Sequence, residues 1–115
     1  MKEKVKIAWA AGLFEGEGSI VLIQESRDRR PYPRLQLTTT DSDVAYKFKR
    51  YIKAGCIYER KRKTVTGKRV FFWVIKCKFE VKRVLKLFMP YFGVRRRKKA
   101  KEALKFTKYM IRRWR

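Results

Sequence analysis

Apolar and small residues recur at helical spacing from Val5 through Ile7, Ala8, Trp9, Gly12 and Leu13 to Phe14. This spacing predicts a first helix of about three turns, ended by Gly16 and Gly18. Ser19 to Gln24 is an apolar run that reads as a strand continuing to about Arg27. Asp28 to Pro33 contains Pro31 and Pro33 and reads as a loop. Arg34 to Thr40 alternates and is rich in β-branched residues, which predicts a second strand paired with the first as a hairpin.

Asp41 then stands where a helix N-cap is expected, followed by the apolar face Val44, Phe48, Tyr51 and Ile52 and a stop near Ala54-Gly55. Cys56 to Lys63 and Arg69 to Cys77 read as two further strands joined by a turn at Thr64 to Gly67. Phe79 to Phe92 carries the helical stripe Val81, Val84, Leu85, Phe88 and Met89; Pro90 should loosen its last turn and Gly93 break it. Arg95 to Arg115 reads as a final basic helix with Ala100, Ala103, Leu104, Phe106, Tyr109, Met110 and Trp114 on its apolar face. The order α-β-β-α-β-β-α-α predicts an α+β fold: a four-stranded antiparallel sheet with helices on one face. A length of 115 residues suits one domain spanning 1–115.

Charge changes the picture more than length does. The chain carries 33 Lys and Arg against 10 Asp and Glu, a net +23. Self-repulsion of that size is relieved by a polyanion, and nucleic acid is the expected partner. The basic residues do not form one amphipathic helix with a lipid-facing side, so no membrane partner is expected. There is no histidine, which removes Ser-His and Cys-His catalysis and His-ligated metals. Cys56 and Cys77 lack metal-ligand spacing and are expected as small buried side chains in a reducing compartment. No signal peptide or membrane span is visible, so an intracellular protein is expected.

The segment Glu15-Gly16-Glu17-Gly18 places carboxylates at the end of the first helix, where the helix dipole disfavours them. A bound divalent cation would offset that cost, and Mg²⁺ suits oxygen donors completed by phosphate and water. Glu15 and Glu17 are separated by about 200° of helical rotation, so at most one points into a given site. Both could otherwise be solvated surface groups. Ala8, Gly12 and Gly16 share one helix face at i, i+4, i+8. Such a face admits a close neighbour helix, either the same helix of a second subunit or another part of the same domain.

Ala10-Ala11-Gly12-Leu13-Phe14-Glu15-Gly16-Glu17-Gly18 resembles the motif that names the LAGLIDADG homing endonucleases. Gly12, Leu13, Gly18 and Ala11 match it, Ala10, Phe14 and Gly16 are small or apolar replacements, and Glu15 and Glu17 stand for its two aspartates. The element order matches that family's αββαββα fold over essentially the whole chain. The resemblance implies a Mg²⁺-dependent (or Mn²⁺-dependent) homodimer that cuts double-stranded DNA at a pseudo-palindromic site in intron homing. The motif helices would pack at the two-fold axis through Ala8, Gly12 and Gly16. Glu17, with the adjoining Gly16, would hold the metal. Arg95 would lie near the scissile phosphate, with Arg96, Arg97 and Lys98 as neighbouring alternatives, and Thr39 or Thr40 would help position water.

The resemblance further implies that the sheet forms a saddle in the major groove. Alternation puts Val21, Ile23, Glu25 and Arg27 on one face of the first strand, and Arg34, Gln36 and Thr38 on one face of the second. Tyr58, Arg60 and Arg62 share a face of the third strand, and Arg69 is expected to join them from the fourth. Lys61, Lys63 and Lys68, near the hairpin tip, are expected on phosphates together with Arg96 and Lys98. A binder without cleavage, such as a splicing maturase acting on its host intron RNA or a regulator, is the alternative. A basic RNA-structural protein is a third. Organellar, archaeal, bacterial and phage origins all fit.

Overall fold

The computed structural model describes residues 2–27, 31–61 and 69–112, with the side chains of 61 and 108–112 excepted. Its elements are α1 (Glu3–Glu17), β1 (Gly18–Ile23), β2 (Tyr32–Thr39), α2 (Ser42–Ile52), β3 (Cys56–Lys61), β4 (Arg69–Ile75), α3 (Lys78–Phe88), a 3-10 turn (Met89–Tyr91) and α4 (Val94–Arg112). The order is the expected one. The sheet runs β1-β2-β4-β3 and every neighbouring pair is antiparallel.

The core lies between the helices and the face of the sheet that carries Ile20, Leu35, Leu37, Trp73 and Ile75. Phe14 of α1 is its hub. The ring is fully buried, and its centroid lies 5.6 Å from that of Phe88, 6.1 Å from Phe92, 6.4 Å from Trp73 and 6.5 Å from Phe48. Ala10 and Ala11 are buried beside it. On α3 the expected stripe Val81, Val84, Leu85 and Phe88 is fully buried, and Ala100 and Ala103 bring α4 onto the same core.

Local chemistry sets the boundaries. Gly16 lies inside α1 rather than ending it; the helix stops at Gly18, whose backbone N–H donates to the Phe14 carbonyl. A Cβ at Gly18 would overlap the Phe14 ring, so only glycine lets β1 leave α1 this closely. Asp41 caps α2 as expected: its Oδ1 accepts the N–H groups of Asp43 at 3.0 Å and Val44 at 3.4 Å. Lys53 ends α2 in the left-handed region at φ 54°. There Arg83 Nη2 donates to the Ile52 carbonyl at 3.0 Å, satisfying one carbonyl that the helix leaves free.

Several expected limits shift. β1 stops at Ile23, so Glu25 and Arg27 lie beyond the sheet. β2 starts at Tyr32 and includes Pro33, which is tolerated because β4 pairs with β2 only from Leu35 onward. β4 ends at Ile75 and α3 at Phe88, with Pro90 in the 3-10 turn. Cys56 and Cys77 are exposed, not buried. Cys56 begins β3 on the side of Tyr58 and Arg60, and Cys77 lies after β4 has left the sheet, so neither faces the core. The expected turn at 64–67 and the Trp114 end of the last helix lie outside the described residues.

Phe14→Ala is expected to cost about 3–5 kcal/mol, because four aromatic neighbours cannot all close on the vacated volume. A lower urea midpoint with an unchanged slope would show it.

Candidate nucleic-acid interface and acidic site

Strand register decides which side chains share the open face of the sheet. Val21 stands opposite Arg34, and Ser19 opposite Gln36. Gln36 stands opposite Val74, Thr38 opposite Phe72, Tyr58 opposite Phe72, and Arg60 opposite Val70. Since Leu35, Leu37 and Trp73 face the helices, the alternate positions Val21, Ile23, Arg34, Gln36, Thr38, Tyr58 and Arg60 face away from them, as expected. Sequence reading missed Ser19, Tyr32, Phe72 and Val74 on the same face. The unbroken apolar run of β4 carries no alternation that would have marked the last two.

This face is polar at its centre. Arg34 Nε and Gln36 Oε1 are shielded from solvent and have no hydrogen-bond partner among the described residues. Such groups cost free energy until a ligand supplies the missing donor or acceptor. The Arg60 guanidinium lies 5.8 Å from the Phe72 ring centroid, which fixes its approach across β4.

Arg69 does not join this face. It stands opposite Lys61, one residue out of phase with Arg60, and its guanidinium pairs with Glu59 at 2.9 Å. Glu25, beyond β1, accepts a hydrogen bond from the Tyr32 hydroxyl at 2.9 Å. That bond, followed by burial, holds the Tyr32 phenol above its ordinary pKa and keeps it a donor. Arg27 is exposed. The Lys61 side chain, Arg62, Lys63 and Lys68 lie outside the described residues.

The two glutamates part company as their helical rotation requires. Glu15 is half-buried. Its Oε1 accepts the Gly93 N–H at 2.9 Å, while Arg96 Nη2 donates to the Glu15 backbone carbonyl at 2.7 Å. Glu17, the last residue of α1, is exposed, and its side chain makes no hydrogen bond or ion pair among the described residues. It borders a cleft with Leu13, Thr38, Thr39, Thr40, Asp41, Val44 and Val70.

Glu17 and Thr39 are therefore brought together, but the Thr39 Oγ1 already accepts the Asp41 N–H at 3.1 Å. Arg95 is not with them: it borders a separate cleft with Glu15, Ser19, Ile20, Arg96 and Lys99. Arg96 is half-buried, with its guanidinium 5.7 Å from the Phe14 ring centroid. Arg97 Nη2 donates to the Phe92 carbonyl at 3.1 Å. Both guanidiniums are thus engaged in the fold, although Arg97 is exposed, as are Arg95, Lys98 and Lys99. Lys99 was not anticipated, although it follows Arg95 at i+4 on one helix face.

A model of the LAGLIDADG endonuclease family matches residues 10–110. The chain belongs to that family. Its fold is similar to the homing endonuclease I-CvuI in complex with its target in the presence of Ca (TM-score 0.69, 23% identity, covering 92% of this chain and 68% of that one). It is also similar to the archaeal intron-encoded homing endonuclease I-Vdi141I complexed with DNA (TM-score 0.77, 18% identity, covering 96% and 72%). A third likeness is to the meganuclease I-SmaMI bound to uncleaveable DNA (TM-score 0.71, 19% identity, covering 93% and 37%). A comparison with curated proteins gives no match.

The LAGLIDADG segment, Ala10 to Gly18, thus forms the second half of α1 and the step into β1. The small-residue face of that helix is open. Gly12 and Gly16 are exposed, and a Cβ at either would meet nothing within 4 Å. Ala8 is half-buried. The alternative in which this face packs on its own domain is not what the chain does among the described residues.

The donors at the end of the LAGLIDADG helix fit a hard divalent cation in kind. Among the described residues Glu17 offers an unpaired carboxylate, and no basic residue sits in the last turn of the helix. The described residues of one chain hold no group of three or more acidic, Cys or His ligands. Around a cation, phosphate, water or a second chain would have to complete the set.

Gln36→Met is expected to leave folding stability unchanged or to raise it by up to about 1 kcal/mol, since it removes a buried unbonded carbonyl. Urea denaturation checks this; a clear loss would mean that the amide is bonded.

Proposed function

We propose that the chain is a site-specific double-stranded DNA endonuclease of the homing type. It acts as a homodimer of one domain, 1–115, on a pseudo-palindromic site and depends on Mg²⁺, for which Mn²⁺ can substitute. One observation carries the reading: a Glu17 without a partner among the described residues ends a helix whose glycine face is open. Two such helices packed through Ala8, Gly12 and Gly16 would bring two Glu17 carboxylates together at one end.

The open face of the sheet then meets the major groove. Arg34 suits guanine O6 and N7, and Gln36 suits adenine N6 and N7, which would satisfy the groups left unbonded in the free protein. Val21, Ile23, Thr38, Tyr58 and Arg60 flank them. Arg95, Lys98 and Lys99 contact backbone phosphates and set the register without reading sequence. Glu17 from each chain, beside Gly16, would hold the cation. When bound, the cation supplies water activation and stabilisation of the leaving oxygen. Thr39 orients the start of α2 beside Glu17 through its bond to the Asp41 N–H. I-CvuI in complex with its target and I-Vdi141I complexed with DNA support the choice of partner.

Glu17→Gln tests the chemistry. On a plasmid library of randomised duplex sites, the wild type with Mg²⁺ should enrich a cleaved sequence, and EDTA should abolish cutting. Glu17→Gln should cut that sequence about 100-fold or more slowly, with its affinity within about threefold. Equal cutting would refute the role of Glu17. Absence of cutting together with stimulated splicing of an intron RNA would replace this reading by the maturase one.

Gly12→Leu tests the dimer. The added side chain meets open space in the single chain, and leucine favours the helix over glycine by about 1 kcal/mol. The variant should stay folded but sediment as a monomer. A dimer by sedimentation would exclude the glycine face as the interface.

A further inference from the structure

We infer that Glu15 is a positioning residue that fixes the first turn of α4, and with it Arg95 and Lys99, relative to Glu17. The inference rests on the endonuclease reading for its effect on rate, and on geometry alone for the clamp.

Two bonds tie the end of α1 to the start of α4 across 78 and 81 residues of sequence. Glu15 Oε1 accepts the Gly93 N–H at 2.9 Å, and Arg96 Nη2 donates to the Glu15 carbonyl at 2.7 Å. Gly93 immediately precedes α4, and its carbonyl accepts the Arg97 N–H at 2.9 Å, the first bond of that helix. The Glu15 carboxylate therefore does for α4 what an N-cap side chain does, but from a distant element. It satisfies a free donor at the start of a 19-residue helix.

The approach is close: a Cβ at Gly93 would stand 2.8 Å from the Glu15 carboxylate oxygen. The second tie runs antiparallel to the first, from a side chain of α4 to the backbone of α1. Together they fix both translation and rotation of the first turn. Arg95 lies in that first turn and Lys99 one turn further along the same helix, and both border the cleft with Ser19 and Ile20 of β1. Two residues beyond Glu15 lies Glu17, on the same rigid helix. Misplacing such a constellation by about 1 Å can cost about 100-fold in rate with little loss of binding.

The test uses the full-length protein and the sequence cleaved from the plasmid library. Glu15→Ala should lower kcat about 10- to 100-fold, with KM within about threefold. Glu15→Gln keeps an acceptor for Gly93 and should recover most of that rate. Amide exchange at Gly93 should quicken in Glu15→Ala and return toward wild type in Glu15→Gln. Arg96→Met removes the other tie and should give the same kcat-selective loss.

Wild-type kcat in Glu15→Ala, or a Glu15→Gln as slow as Glu15→Ala, would overturn the inference, the latter because charge rather than hydrogen bonding would then matter. Arg96→Met with weaker binding and normal kcat would also overturn it, making Arg96 a phosphate contact. If Glu15→Ala does not fold, the Gln and Met variants decide. If the wild type cuts nothing, the endonuclease reading fails while the Gly93 exchange still tests the clamp.

Discussion

Burial of the Phe14 ring sets the rotation of α1, and everything at the site follows from that rotation. Once Ala10, Ala11 and Phe14 face the core, a pitch of 3.6 residues per turn leaves the remaining positions no choice. Gly12 and Gly16 turn outward, Glu15 turns toward α4, and Glu17 clears the end of the helix. The aromatic cage of Phe48, Trp73, Phe88 and Phe92 resists any slip. Gly18 is part of the same constraint, because a side chain there would strike the ring that defines the rotation. The core thus positions the carboxylates, although none of its atoms has any chemistry of its own.

The open face of the sheet shows the opposite economy. A chain with a net charge of +23 sets Arg34, Arg60 and Gln36 among few acids, and two of their polar atoms stand shielded and unbonded. Within the free protein both features are unfavourable. A polyanion bearing hydrogen-bonding edges removes both at once. That coupling explains why the face has not been filled with the apolar side chains that would stabilise it.

Much of this was legible in the sequence, and the failures share a physical cause. Helical spacing and strand alternation are local, so α1 to α4, the four strands and the side of Arg34, Gln36, Tyr58 and Arg60 could be read directly. Arg69 could not. From Val70 to Ile75 its strand is apolar on both faces, so no local pattern marks the side that Arg69 takes, and an error of one residue sends every side chain to the other face. The exposed cysteines follow the same rule, since Cys56 takes its side from β3 pairing. The parting of Glu15 from Glu17 was visible in the rotation of α1. What Glu15 meets was not, because Gly93 lies 78 residues away and its amide carries no side-chain signal. The engagement of Arg96 with the Glu15 carbonyl was hidden for the same reason.

The glycines of α1 carry the last step. Inside a helix, each costs about 1 kcal/mol relative to alanine. Gly18 is explained by the Phe14 ring, but among the described residues nothing explains Gly12 and Gly16, since a Cβ at either meets only open space. Alanine at both positions would stabilise the single chain by about 2 kcal/mol on that reckoning, and under the proposed homodimer the compensating contact comes from the second chain. A helix backbone approaching within the radius of a missing Cβ is such a contact. The proposed two-fold partner would bring an identical backbone and, with it, a second Glu17 to the same end, so one stripe of absent side chains would account for both the association and the pairing of carboxylates.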